Sequence, residues 1–104
     1  MTRVKFLKDG SIVGFEIFGH SSCDENDFEG KIVCSAVSSA AYMAANTIIE
    51  IIGDKCFATI DDAKMLVTVD APCKETVAVL NGLKLHLTEL SKQYSKRIRI
   101  ITEV

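Results

Sequence analysis

Eighteen consecutive residues, Ile32 to Ile49, carry no charge, and such a run must meet apolar surroundings in a core, in a subunit interface or in a bilayer. Ser35, Ser38, Ser39, Asn46 and Thr47 interrupt it with polar groups. Its many small residues suit close helix contact, so a helix buried in the core or between subunits is expected rather than a membrane span. Apolar or small residues at 34, 37, 41, 45, 48 and 52 recur at helical spacing, which predicts a helix from about Ile32 to Ile52 with Gly53 as its stop. Cys34 then falls in the first turn.

The flanking sequence supplies a sheet for that helix to cover. Val4 and Phe6 alternate with Arg3 and Lys5, Asp9-Gly10 suits a tight turn, and Val13, Phe15 and Ile17 resume the alternation, so residues 2 to 18 read as a hairpin. Strands are expected at 55–60 and 65–69, joined by Asp61-Asp62-Ala63-Lys64. Pro72 suits the first turn of a second helix whose stripe is Val77, Leu80, Leu83, Leu87, Leu90 and Tyr94. Ile98 and Ile100 suggest a last short strand. The order ββαββαβ points to an α+β fold, a two-layer sandwich with a mainly antiparallel sheet and two helices on one face.

A length of 104 residues allows one core, hence a single domain over 1–104, and 48% hydrophobic with 25% charged residues is the balance of a globular chain. A net charge of -2 gives no general pull toward phosphate backbones, so nucleic-acid binding is not expected. Lys92, Lys96, Arg97 and Arg99 read as a solvated helix end and strand edge. Met1-Thr2-Arg3-Val4-Lys5 lacks the pattern of a secretory signal. A cytoplasmic protein is therefore expected, with Cys23, Cys34, Cys56 and Cys73 as thiols.

Between Gly19 and Gly30 runs a polar, acidic stretch, read as a surface loop over 21–30 and a candidate lid. His20 stands at its start and Cys34 just beyond its end. A thiolate is the reactive form of cysteine, and the N–H groups of a helix N-terminus would stabilise both it and an oxyanion. Imidazole titrates near neutrality and suits the general base. The other histidine, His86, lies among Leu83, Leu85, Leu87 and Leu90 and reads as structural or surface. One cysteine and one histidine at this spacing are a weak signal, since buried cysteines are common and mostly inert.

The wider pattern is more specific. Gly19-His20, a polar loop, Gly30-Lys31-Ile32-Val33-Cys34-Ser35-Ala36-Val37-Ser38 and then Asn46 resemble the signature of the ribosomal-processing cysteine proteases. There, Gly-His precedes a loop and a Gly-x-Asp-Ile-Val-Cys-Ala-Ala-Val-Ser-like helix start. The resemblance implies a cysteine endopeptidase with Cys34 as nucleophile, His20 as general base, and Ser38, Gly19 and Gly30 in support. It further implies a homodimer joined through helices, and a substrate that is the precursor of large-subunit ribosomal protein L twenty-seven, whose N-terminal extension is removed. The family's Asp three residues before the cysteine is Lys31 here. A carboxylate partner for His20 would come from Asp24, Asp27 or Glu29, or else Lys31 would favour the thiolate by its own charge.

Two other readings compete. His20, Cys23 and Cys34 could be metal ligands, but Cys56 and Cys73 lack the close pairing of structural zinc sites, so no metal and no cofactor are expected. A catalytically inactive ribosome-associated binding module would keep the fold without the chemistry.

Overall fold

In the computed structural model, which describes residues 1–19, 26–61 and 64–102, the first hairpin forms as β1, Thr2–Asp9, and β2, Ser11–Phe18. It turns at Gly10, whose φ of 80° suits glycine. Then follow α1, Phe28–Asn46, a π-helical segment, Thr47–Ile52, and the strands β3, Cys56–Ile60, and β4, Lys64–Val69. The helix α2, Lys74–Gln93, and β5, Ile98–Thr102, complete the chain. The sheet order is β3-β4-β2-β1-β5, antiparallel throughout except that β5 runs parallel to β1. This is the expected α+β sandwich with its mainly antiparallel sheet.

Strand register puts one apolar set on one face. Val4 pairs with Ile17, Phe6 with Phe15, Phe15 with Val67 and Ile17 with Met65. Side chains of paired residues point the same way. Val4, Phe6, Phe15, Met65, Val67 and Ile98 are accordingly buried together with Val33, Val37, Ala41, Ala44 and Ile48 of the first helical run and Leu80, Leu83 and Leu87 of α2. Sealing a Phe6 or Phe15 ring from water contributes about 2–3 kcal/mol, and the two rings pack with centroids 6.4 Å apart.

Three local expectations are corrected. The alternation Val13, Phe15, Ile17 is broken, because pairing slips from Leu7↔Gly14 to Lys8↔Ile12 and leaves Val13 as an extra residue. The bulge turns Ile12, not Val13, into the core. The helix predicted from Ile32 begins at Phe28 and loosens into π-helix at Thr47, whose hydroxyl donates to the Met43 carbonyl at 2.7 Å in competition with the backbone ladder. It closes at Gly53, whose N–H donates to the Ile48 carbonyl. By length and composition Phe28–Ile52 would pass for a membrane span, but its Val33, Val37, Ala41 and Ile48 face lies in this core.

The third correction concerns α2. Pro72 precedes the helix, Cys73 is its N-cap, and the capping acceptor comes from outside: Asp54 Oδ2 accepts from the Cys73 N–H at 2.8 Å and the buried Thr76 hydroxyl at 2.6 Å. The Thr76 hydroxyl, then the Cys73 backbone N–H, hold the Asp54 carboxyl below the ordinary carboxylate range. A lowered folded pKa means the contribution is complete above the unfolded value of about 4 and is lost as pH falls through the folded one. Asp54→Asn keeps an acceptor but not the charge. Its melting temperature should lie below that of the parent at pH 7, and thermal scans should show the gap closing as pH falls below about 4.

Candidate active site

Everything at the start of α1 depends on Asp27. Its carboxylate accepts from the Gly30 N–H at 3.0 Å, its carbonyl accepts from Lys31 N–H at 3.1 Å, and Phe28 N–H donates to the Asn26 carbonyl at 3.2 Å. Capping at Asp27 starts the helix four residues before the expected point. Cys34 is therefore the seventh helical residue and not in the first turn, and its N–H lies beyond the unpaired donors of the terminus. The expectation that those donors stabilise the thiolate or an oxyanion is overturned. Asn26 and Asp27 already take the Phe28 and Gly30 N–H groups, and the helix dipole acts mainly within the first turn.

Arg97, read from sequence as solvated, is instead half-buried and clamps this terminus. Its guanidinium grips both carboxylate oxygens of Asp27, with Nη2 to Oδ1 at 2.8 Å and the second contact from Nη1 to Oδ2. Its Nε lies 3.5 Å from Glu29. Bonding to Asp27 raises the Arg97 pKa further above its already high range, so the fork stays charged wherever the protein folds. Two of the three carboxylates considered as partners for His20 thus converge on Arg97. Asp24, with His20 and Cys23, lies outside the described residues, as does the first half of the expected lid, 21–25.

Cys34 is half-buried and opens on a cleft of about 150 Å³ between α1 and one end of the sheet. Val37, Ser38 and Tyr42 line it from the helix. Thr2, Ile17, Gly19, Ile60, Asp61, Lys64 and Met65 line it from the sheet. Ser38 lies one helical turn from Cys34, on the same face, and lines the same cleft. Gly19 is there too, with φ 83° and its Cα so close to the chain start that an added Cβ would meet the Met1 carbonyl oxygen at 2.5 Å. The positive φ and this close approach are what require glycine where β2 ends. Gly30 is buried and supports the cap rather than the cleft. Lys31 directs its ammonium back over the Phe28 ring, 5.9 Å from the centroid.

The other described thiols have different surroundings. Cys73 occupies the N-cap position of α2, its Sγ 3.6 Å from the Thr76 hydroxyl. Burial, reinforced by the Asp54 charge, pushes the Cys56 thiol up, so it stays protonated at neutral pH. His86 is exposed beside a separate groove between the helices. Sequence reasoning missed Arg97, Thr2, Tyr42 and Ile60 as neighbours of the site, since none carries a local signal. Topology alone brings residues 2, 42, 60 and 97 to one end of the molecule.

The family model described as cysteine protease Prp matches residues 1–99. No curated protein matches the sequence. Among solved structures, the essential ribosomal processing protease Prp from S. aureus with a covalently linked product peptide aligns with TM-score 0.79 at 20% identity, covering 98% of this chain and 97% of that one. The complex of S. aureus Prp with a substrate peptide gives 0.82 at 17% over the same shares. SMU.848 from Streptococcus mutans gives 0.84 at 18%, covering 99% of each chain. At these identities the structural likeness establishes the fold.

Proposed function

The chain belongs to the cysteine protease Prp family, and from that premise we propose that it is a cytoplasmic cysteine endopeptidase that removes the N-terminal extension of large-subunit ribosomal protein L twenty-seven. The carrying observation is that Cys34 opens on the same cleft as Gly19, the residue that leads into His20. Cys34 Sγ attacks the scissile carbonyl carbon while His20 takes its proton. The C–N bond then breaks as His20 returns that proton to the leaving amine, leaving a thioester on Cys34. Water, deprotonated by His20, hydrolyses the thioester and restores the thiol. The S. aureus relative's complexes with substrate and product peptides support a peptide substrate.

A homodimer is part of the same proposal. Ala36, Ser39, Ala40 and Met43 of α1 and Val79, Gly82, Leu83 and His86 of α2 line a groove of about 690 Å³. Met43 is 62% exposed there. The groove's small, uncharged α1 wall suits the helix of a second copy. Sedimentation velocity should show a species of twice the 11.4 kDa chain mass that Met43→Glu dissociates.

Incubating the protein with the ribosomal protein precursor tests the activity. Mass spectrometry should show a product shortened at its N-terminus, lost with His20→Ala and retained with Cys23→Ala. Intact precursor after prolonged incubation with the parent protein, or full cleavage by His20→Ala, would overturn the reading.

A further inference from the structure

We propose that the substrate docks as an extended segment hydrogen-bonded to the outer edge of β3, adding a sixth strand to the sheet and running from there into the Cys34 cleft. The proposal rests on the peptidase reading for its occupant and on the sheet for its geometry. Among the described residues β3 is an edge strand, paired only with β4. The backbone bonds Asp61 N–H to Lys64 carbonyl, 2.9 Å, and Asp70 N–H to Lys55 carbonyl, 3.3 Å, fix which pairs exchange hydrogen bonds in this ladder. Such pairs alternate along an antiparallel ladder, so Phe57 and Thr59 face β4 with their backbone groups. Those of Cys56, Ala58 and Ile60 point away from the sheet, where they meet no partner among the described residues.

Ordinary edge strands are protected by charge, proline or a bulge. Cys56-Phe57-Ala58-Thr59-Ile60 has none of these: it is uncharged, its register is regular, and Ile60 is 52% exposed. The side chain of Ile60 falls on the helix side, since its partner Met65 is buried there, and Ile60 and Asp61 themselves line the cleft of Cys34. Edge and cleft are thus one continuous surface. A peptide paired with Ala58 and Ile60 would put every second side chain on the helix side, over Ile60 and Tyr42, and bring its backbone to the thiol in the extended form that attack requires.

The probe is a synthetic peptide spanning the junction of the extension of ribosomal protein L twenty-seven, added to Cys34→Ala so that no turnover intervenes. Backbone amide exchange followed by NMR should slow at Ala58 and Ile60 by tenfold or more, with Phe57 and Thr59, already bonded within the sheet, little changed. In the cleaving protein, Ala58→Pro removes an outward N–H at a position where a sheet tolerates proline. It should raise KM about tenfold with kcat within about threefold and an unchanged fold by circular dichroism. Peptide added without protection at Ala58 and Ile60 overturns the proposal. So does protection already present in the free protein and rising with its concentration, which would mean that two copies pair through β3. Cleavage without edge protection would leave the peptidase reading standing, whereas protection without cleavage by the parent protein would sink that reading and keep this one.

Discussion

Replacing Cys34 by alanine should lower the rate of precursor cleavage by roughly 10⁴-fold or more, the scale on which removing a covalent nucleophile leaves only the residual effects of binding and polarisation. Alanine has no atom that can form the thioester. The other thiols described do not substitute, because Cys56 is held protonated in β3 and Cys73 is tied to Thr76 at the α2 cap. Ser38 shares the cleft, but a hydroxyl is a far weaker nucleophile than a thiolate without its own positioned base. Since Cys34 is only half-buried, losing its sulfur should cost about 1 kcal/mol or less, so folding is preserved and the lost rate reports chemistry. Initial rates over a range of enzyme concentrations measure it. Cleavage at even a tenth of the parent rate would remove Cys34 from the nucleophile's role.

The position of that cysteine also shows what sequence can and cannot convey. The layer order, the sheet and both helices were legible because each depends on a local period: Leu80, Leu83 and Leu87 at helical spacing, Met65, Val67 and Val69 at strand spacing. The start of α1 was not, although Asp27 stood three residues ahead of Gly30 in a capping relation. Glycine at both ends of the segment made a loop the natural reading, and a cap whose carboxylate is held by a residue 70 positions away has no local trace. The consequence reaches the chemistry. With Cys34 deeper in the helix than spacing implied, the first-turn N–H groups are removed from the account of reactivity. Activation of the thiol falls to the proposed His20, in the segment that starts at Gly19. Arg97 was misread for the same reason, since a run of basic residues at a helix end looks solvated until the tertiary fold supplies an acid.

Gly14 is the second place where a single atom should have a large effect. It pairs with Leu7 on one side and Thr68 on the other, beside the bulge at Val13. A Cβ there would lie 2.1 Å from the Val67 carbonyl oxygen and 3.0 Å from the Thr68 Cα, both backbone atoms that no side-chain rotation can move aside. Relieving the contact requires β2 and β4 to separate by on the order of 1 Å, given a normal C···O approach of about 3.3 Å. That opens the ladder that holds Phe15 against Val67 and Ile17 against Met65. Gly14→Ala should therefore cost about 3 kcal/mol or more, out of a total of roughly 5–15 kcal/mol for a domain of this kind, and lower the melting temperature by roughly 12–20 °C. Gly10→Ala is the matched control, because a Cβ there meets nothing within 4 Å and only the φ of 80° is strained, for which about 1–2 kcal/mol is expected. Urea unfolding of the two variants separates backbone collision from backbone conformation. If Gly14→Ala proved no worse than Gly10→Ala, the close approach of β2 to β4 would be wrong, and with it the sheet wall that Ile17 and Met65 give to the cleft.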